Sequence, residues 1–209
     1  MKSICVFCGS NPGVNPVYAE AARELATTLV ARRLRLVYGG GSVGLMGIIA
    51  DAVLAGGGEV VGVLPHSLWK REVGHGGLTK LHLVETMHER KALMADLSDG
   101  FVALPGGAGT LDEAFEVWTW AQLGIHDKPC GLLNIHGYFD ALLAYLKHAV
   151  AERFLKSEHL NMLMVNTEST SLLDRFAAYA APNRPNWLDA AGRGAKEMED
   201  GRERIGLGR

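Results

Sequence analysis

Apolar positions fall into two kinds of run that alternate along the first 180 residues or so. The short runs are rich in β-branched residues and apolar at nearly every position, as in "SICVFC", whereas the longer runs have helical spacing. Apolar strands that alternate with helices are typical of a parallel sheet covered on both faces. We therefore predict a single-domain α/β fold, a Rossmann-like doubly wound parallel sheet of about seven strands with helices on both faces.

The individual elements can be placed by number. Strands are predicted at 3–8, 34–38, 59–64, 81–84, 100–104, 130–135 and 162–166. Helices are predicted at about 16–33, 43–56, 87–98, 110–123, 138–154 and 168–180. We assign residues 1–181 to the domain. Residues 182–209 are polar, glycine-rich and without period, so we predict a flexible tail there.

Composition narrows the function classes. The chain has 209 residues, 48% of them apolar, and a net charge of −2. Charges of both signs are dispersed, which argues against a nucleic-acid partner. No apolar run approaches the length of a membrane span, and "MKSICVFCGS" reaches glycine too early for a signal peptide. We predict a soluble, cytoplasmic protein without a membrane partner.

Cys5 and Cys8 form a C-x-x-C pattern, which is also found in redox and metal sites. Residues three apart on a strand point to opposite faces of the sheet, so the two thiols should diverge. We favour buried small residues and keep redox or metal chemistry as the alternative. The eight histidines show no spacing typical of metal ligands, so no metal site is predicted.

Three glycine-rich segments follow predicted strands, "CGSNPG", "YGGGSVGLMG" and "LPGGAGT". Ligands of doubly wound folds lie at the carboxyl ends of the strands, so these turns should gather at one edge. The second segment contains Gly39-x-Gly41-x-x-Gly44, a formal match to the dinucleotide fingerprint. It follows the second strand, and the next strand ends without the expected acid, so a nicotinamide cofactor is only a weak alternative.

The third segment carries more information. Gly106, Gly107 and Gly109 bare the backbone, and Thr110 opens the predicted helix. The unpaired N–H groups of a first helical turn can bind an anion such as phosphate. A tight turn with a threonine cap is the alternative. No Lys-Ser or Lys-Thr pair follows, so this is not an ATP-type P-loop.

Glu113 has two interpretations that its spacing leaves open. It could complete a capping box with Thr110. It could also be a functional carboxylate, with Glu116 on a similar helix face. Carboxylates beside a sugar phosphate suit hydrolysis of a glycosidic bond, because they stabilise positive charge and activate water.

Arg90 and Lys91 lie near the start of a predicted helix, where cations oppose the helix dipole. Their placement suggests a ligand, since arginine can bind phosphate through two parallel hydrogen bonds. The alternative is an ordinary solvated pair. Glu72 lies in a long loop after the third strand, and such loops often form substrate walls. His66 and His75 of this loop could equally be plain loop residues.

Several stretches together resemble the LOG family of cytokinin riboside 5′-monophosphate phosphoribohydrolases. They are "CVFCGS", "VYGGGSVGLMG", "MHERK", "LPGGAGTLDEAFEVWTWAQLGIHDKP" and "GLLNIHGYFD". The resemblance covers roughly residues 2–180, and the paired signature M-x-x-R-K and P-G-G-x-G-T-x-x-E is specific. The family more often has Glu at the position of Asp112.

The resemblance implies hydrolysis of N6-modified AMP to free base and ribose 5-phosphate, without metal or organic cofactor. It makes Arg90 and Glu113 the catalytic residues and residues 106–110 the phosphate loop. The substrate-binding residues are expected at Ser10, Gly41, Glu72, Met87, Lys91, Gly106, Gly107, Ala108, Gly109, Thr110, Glu116 and Thr119. It also implies a homodimer with the site near the subunit interface.

Three alternatives remain. Proteins of this family have been labelled lysine decarboxylases, which require pyridoxal phosphate on a lysine, and only Lys91 falls near the predicted site. A non-catalytic nucleotide-binding protein would need the glycine loop but not Glu113. An AMP nucleosidase would differ in the pocket for the N6 substituent, which Met46, Met87 and Trp69 could line.

Overall fold

The computed structural model describes residues 1–69 and 74–182. The strands in this part of the chain are β1 Ser3–Phe7, β2 Arg35–Tyr38, β3 Val60–Pro65, β4 Lys80–Val84, β5 Phe101–Ala103, β6 Cys130–Leu133 and β7 Leu163–Asn166. The helices are α1 Val17–Ala31, α2 Gly44–Ala55, α3 His66–Trp69, α4 Met87–Asp96, α5 Ala108–Gln122, α6 Asp140–Ala151, α7 Ser157–Asn161 and α8 Ser169–Ala177. A short 3-10 helix, Ile135–Gly137, precedes α6.

The seven strands form one sheet in the order β4-β3-β2-β1-β5-β6-β7, and every neighbouring pair is parallel. This confirms the predicted doubly wound sheet. The chain winds outward from β1 to β4 and then returns to place β5 beside β1. The strand order therefore reverses between β1 and β5, and the loops after these two strands border a crevice.

Both faces of the sheet are covered, and β1 shows how the sequence achieves this. Ile4 and Val6 pack on one side with α1, α2 and α8, whereas Cys5 and Phe7 pack on the other with α4 and α5. Cys8 belongs to the first side, so the two thiols of the C-x-x-C diverge as predicted. All three cysteines of the chain are buried, and none of them forms a disulfide bond.

The observed helices differ from the predicted ones mainly at their ends. The helix predicted at 138–154 runs from Asp140 to Ala151, because the 3-10 helix occupies the preceding residues. The short helices α3 and α7 were not predicted, since four or five residues are too few to show a helical period. Within residues 1–69 and 74–182, no helix is both long and apolar enough to cross a bilayer.

The predicted capping box of Thr110 and Glu113 is wrong. Helix α5 begins two residues earlier than predicted, with Gly107 at the N-cap and no side-chain cap. Thr110 is therefore already inside the helix, where its buried side chain packs against Gly106. A side-chain cap forms instead at α4, where Thr86 Oγ1 accepts a hydrogen bond of 3.1 Å from the Glu89 N–H.

Two predictions concern residues outside the part of the chain that the structure describes. Glu72 lies outside the described residues, as does all but the first residue of the tail predicted at 182–209. The substrate-wall role of Glu72 and the flexibility of the tail therefore stay predictions.

Candidate active site

The three glycine-rich turns meet at the carboxyl edge of the sheet, as predicted. The Gly9 N–H donates to the carbonyl of Pro105 at 3.1 Å, and the Leu45 N–H donates to the carbonyl of Gly9 at 3.0 Å. The turn after β1 is thus bonded to both the turn after β2 and the turn after β5. These bonds fix the walls of the crevice at the point where the strand order reverses.

Arg90 and Glu113 form an ion pair in this crevice. Arg90 Nη1 lies 3.3 Å from Glu113 Oε1, and the two side chains are only 8% and 12% exposed. Arg90 Nε donates to the carbonyl of Val63 at 3.1 Å, and Nη2 donates to the carbonyl of Gly39 at 3.0 Å. Most of the guanidinium donors are therefore already bound within the protein.

Two local features bring the guanidinium to this place. The cap by Thr86 starts α4 directly after β4, so Arg90 lies in the first turns of the helix. Gly39 lets the guanidinium approach the chain, because a Cβ atom there would collide with Arg90 Nη2. The first glycine of the apparent dinucleotide fingerprint therefore makes room for a cation of the protein itself.

The turn before α5 is built differently. Gly106 lies against Thr110, whose hydroxyl would overlap a Cβ atom at that position. Gly107 and Gly109, in contrast, would place a Cβ atom in open space, and neither has a positive φ. Neither packing nor backbone conformation therefore requires glycine at these two positions. Their missing side chains leave the N–H groups of the first turn of α5 accessible to a ligand.

A cavity of about 260 Å³, here called the Glu113 cavity, lies between this turn and the ion pair. Its lining includes Val6, Cys8, Ser10, Gly39, Met46, Arg90, Gly107, Ala108, Gly109, Thr110 and Glu113. A second lobe of about 210 Å³, the Tyr138 lobe, adjoins it at Ser10 and Gly107 and is bordered by Tyr18, Gly106 and Tyr138. The turn before α5 therefore lines two neighbouring spaces.

Lys91 links α4 to α5 through two carboxylates. Its Nζ lies 3.1 Å from Asp112 Oδ2 and 3.0 Å from Glu116 Oε2, and its side chain is only 10% exposed. Burial by itself lowers the pKa of Lys91, but the hydrogen bonds and charges of Glu116 and Asp112 outweigh it and raise the pKa. Lys91 is therefore a charged cross-link between the helices and does not line the Glu113 cavity.

Burial raises the pKa of the Glu113 carboxyl above its ordinary value, and the charges of Asp112 and Glu116 add to the rise. Arg90 and Lys91 oppose it. Burial and the two neighbouring carboxylates together therefore outweigh two nearby cations at this carboxyl. A carboxyl with a perturbed pKa in a cleft beside a specific charge partner is typical of functional sites.

The structure gathers part of the predicted site. Ser10, Gly107, Ala108, Gly109, Thr110 and Met46 line the cavity around Arg90 and Glu113. Gly106 borders the Tyr138 lobe, and Met87 Sδ lies 3.9 Å from Arg90 Nη1.

Other predicted residues lie apart from the cavity. Gly41 is bridged to Gly74, and the Trp69 ring packs over Gly74. Glu116 is paired with Lys91, and Thr119 is exposed further along α5.

Sequence reasoning missed Tyr138, Cys8 and the role of Gly39 at this edge. Tyr138 follows β6, and Cys8 follows β1 directly. The rule that loops after parallel strands converge could have found both. The contact between Gly39 and Arg90 joins positions 51 residues apart, so no local signal marks it.

The residues present do not fit pyridoxal phosphate on Lys91. A Schiff base requires a neutral amine, whereas the Lys91 ammonium is held by two carboxylates that raise its pKa. Among residues 1–69 and 74–182, no group of three or more His, Cys, Asp or Glu side chains is arranged to hold a metal ion.

Fold and site together define a Rossmann-like α/β protein with a buried carboxylate–guanidinium pair at its topological switch point. A family model described as "possible lysine decarboxylase" matches residues 46–176. A probable cytokinin riboside 5′-monophosphate phosphoribohydrolase of Oryza sativa subsp. japonica is 51% identical over 178 residues, which are 85% of this chain and 78% of the relative. A cytokinin riboside 5′-monophosphate phosphoribohydrolase of Arabidopsis thaliana is 47% identical over 198 residues, 95% of this chain and 91% of the relative. The chain therefore belongs to the LOG family.

Solved structures agree on the fold. The molybdenum cofactor carrier protein of Chlamydomonas reinhardtii superposes with a TM-score of 0.64 at 20% identity, covering 85% of this chain and 99% of that one. The molybdenum cofactor binding protein of Rippkaea orientalis gives the same TM-score and identity, covering 85% of this chain and 97% of its own. At such identity the likeness shows the Rossmann-like fold alone.

Proposed function

We propose that the protein is an N-glycosyl hydrolase that cleaves cytokinin riboside 5′-monophosphates, which are N6-modified forms of AMP, into free base and ribose 5-phosphate. The observation that carries the proposal is the buried Arg90–Glu113 pair in a cavity that also opens onto the bare glycine turn of α5. The glycine turn suits binding of a phosphate, and the ion pair suits a reaction at the glycosidic carbon. The names of the two plant relatives support the same reaction.

The 5′-phosphate would bind at residues 106–110. The free N–H groups of the first turn and the dipole of α5 favour an anion there. The Gly107 and Gly109 positions give the phosphate close access to the backbone, because no side chain stands over them. Binding energy gained at the phosphate would fix the ribose and so hold its anomeric carbon in the Glu113 cavity.

Glu113 would act at the anomeric carbon. As the bond between C1′ and the base nitrogen breaks, the electron pair leaves with the base and positive charge develops on the ribose. The Glu113 carboxylate would stabilise that charge and accept a proton from the attacking water, whose oxygen forms the new bond to C1′. The proton then passes to the departing base, so the atoms balance.

Arg90 acts in this proposal on Glu113 rather than on the phosphate. The sequence suggested a phosphate contact, but the guanidinium already donates to Val63, Gly39 and Glu113. Its charge counters the pKa increase that burial imposes on Glu113. We therefore assign it the task of keeping the carboxylate ionised and aimed at the substrate.

The base would lie toward Met46 and Met87. Met46 lines the Glu113 cavity, and Met87 is partly exposed beside Arg90. Flexible apolar side chains suit an apolar N6 substituent. Apolar pockets discriminate by only about 1–3 kcal/mol per group, so AMP itself is the natural competing substrate.

We also propose a homodimer with the site near the subunit interface. Supporting it, the apolar side chains of Leu83, on the edge strand β4, and Met87, at the start of α4, are substantially exposed. Thr119, a predicted substrate contact, is exposed and does not line the Glu113 cavity of its own chain. In a homodimer it could instead contact the substrate bound to the partner subunit. Light scattering of the purified protein tests the stoichiometry. We also propose a cytoplasmic location, because none of the three cysteines forms a disulfide bond, and cell fractionation tests it.

The test of function measures free base released from isopentenyladenosine 5′-monophosphate and from AMP, using wild type, Glu113→Gln and the exposed control Glu152→Gln. We expect the wild type and the control to release base and to prefer the isopentenyl substrate. We expect Glu113→Gln to lose about 100-fold or more in turnover. Equal use of AMP would indicate a nucleotide-salvage nucleosidase. Binding without release would indicate a nucleotide-binding protein instead.

A further inference from the structure

Tyr138 reaches from the β6 side of the sheet to the phosphate turn. It directly follows the 3-10 helix, and its hydroxyl donates a hydrogen bond of 2.7 Å to the carbonyl of Gly106. Its ring packs edge-to-face on Tyr18 at 5.5 Å between centroids and on Phe139 at 5.1 Å. This bond therefore ties the loop after β6 to the turn that begins α5.

The bond determines the orientation of one particular peptide. The carbonyl of Gly106 and the N–H of Gly107 belong to the same planar trans unit, so they point in opposite directions. When the carbonyl is fixed toward Tyr138, the N–H is directed away from it. Gly107 borders both the Tyr138 lobe and the Glu113 cavity.

A peptide between two glycines needs such an anchor. Glycine has no Cβ atom to restrict φ and ψ, so this unit can rotate at little steric cost. Gly107 in particular would meet no neighbouring atom even with a Cβ. Without an anchor, the N–H at the start of α5 would sample several directions.

The backbone next to Tyr138 is held by the side chain of Asn134. Asn134 Oδ1 accepts a hydrogen bond of 2.7 Å from the backbone N–H of Phe139, and Asn134 Nδ2 donates to Asp140 Oδ1 at 2.7 Å. The side chain of Phe139 is buried. The residue that follows Tyr138 is thus fixed by side chain and backbone, which limits where the tyrosine ring can lie.

We propose that Tyr138 is a positioning residue that orients the Gly106–Gly107 peptide so that its N–H meets the 5′-phosphate of the substrate. The proposal rests on the proposed function, because it takes residues 106–110 as the phosphate site. Affinity for ligands that carry the phosphate then depends on the Tyr138 hydroxyl. Affinity for the free base does not.

The test compares Tyr138→Phe with Tyr145→Phe, which removes the same hydroxyl from a tyrosine of α6 that is 63% exposed. Calorimetry would measure the Kd of AMP, ribose 5-phosphate and the free base for each variant. We expect Tyr138→Phe to weaken AMP and ribose 5-phosphate by about 3- to 10-fold, the effect of one lost neutral hydrogen bond. The Kd of the free base, the melting temperature and the kcat at saturating nucleotide should match the control.

Two results would overturn the proposal. Unchanged Kd values for both phosphate ligands would show that the peptide is held without Tyr138. Equal weakening of phosphate ligands and free base would show a general loosening of the site instead. Because ribose 5-phosphate is a product and is not turned over, its Kd can be measured whether or not the protein releases base from AMP. A wild type that binds AMP but releases no base would therefore contradict only the hydrolase function and would leave this test intact.

Discussion

Two glycine-rich turns lie at the carboxyl edge of the sheet on either side of the turn after β1, and their glycines face different surroundings. In the turn after β2, the space at Gly39 is taken by the Arg90 guanidinium, and Gly44 lies directly against the backbone of Ser10. In the turn after β5, Gly107 and Gly109 face open space.

The difference shows that a run of glycines indicates close approach but not the identity of what approaches. In the first turn, the close neighbours are parts of the protein, and the result is a positioned cation. In the second turn, the backbone remains accessible, and the result is a site suited to an external anion. Only the three-dimensional contacts distinguish the two, because both segments look alike in sequence.

The largest effect should come from filling the first turn. Gly39→Ala places a methyl group against Arg90 Nη2, so the guanidinium must move. We expect unfolding free energy to fall by about 1–3 kcal/mol. Turnover should fall about 100-fold, because Glu113 loses its aligned partner. Thermal melting and steady-state kinetics check both. Gly76→Ala is the control, since a Cβ atom there meets nothing, and equal behaviour of the two variants would contradict the internal role of Gly39.

Filling the second turn should separate stability from activity. Gly109 lies inside α5, so Gly109→Ala should stabilise the helix by up to about 1 kcal/mol. The methyl group would nevertheless stand beside the N–H groups proposed to bind the phosphate. Because it would weaken the charge-assisted hydrogen bonds there, KM should rise at least about tenfold. A higher melting temperature together with a higher KM is the expected pair. An unchanged KM would count against phosphate binding at this turn.

A smaller effect is expected from the Lys91 cross-link. Lys91 opposes the rise in the pKa of Glu113, so Lys91→Met should raise that pKa further. If the ionised carboxylate is the active form, the acid limb of the kcat profile should move to higher pH. The pH–rate profile of Lys147→Met, on α6, provides the control. An acid limb that stays in place would show that Lys91 only holds the helices together.

The smallest effect is predicted for the stability of Glu113→Gln. Because the pKa of Glu113 is raised in the folded state, the stability that this carboxyl contributes is present at acidic pH and is lost as pH rises through that pKa. The variant, which stays neutral, should therefore melt no lower than wild type at neutral pH. Melting curves at acidic and neutral pH should show the melting temperature of the variant rising relative to that of wild type as pH increases. A large loss at neutral pH would indicate a mainly structural Glu113.

Much of the fold was accessible from the sequence because it depends on periodicity. Runs such as "SICVFC" are apolar throughout, so they predict strands buried on both faces, and all seven predicted strands exist. Arg90 and Glu113 were also identified as candidates, by spacing and by resemblance. The structure adds that they are 3.3 Å apart.

Other features depend on contacts between distant positions. Thr110 resembled an N-cap, but its packing against Gly106 places it inside α5. Lys91 resembled a substrate contact, but it pairs with Asp112 and Glu116, about twenty residues further along the chain. Local preference describes one helix at a time, so it does not report a pairing between two helices.

The acceptors that hold Arg90 have a consequence for how the site can evolve. Val63 and Gly39 contribute their main-chain carbonyls, which remain whatever side chain those positions carry. Point mutations at Val63 therefore leave its acceptor in place, and drift can disturb the ion pair mainly through Gly39, Arg90 or Glu113 themselves. Met46 and Met87, which we propose lie toward the base, would contribute side chains instead. On that proposal, substitutions could change substrate preference at Met46 and Met87 while leaving the main-chain acceptors of Arg90 in place.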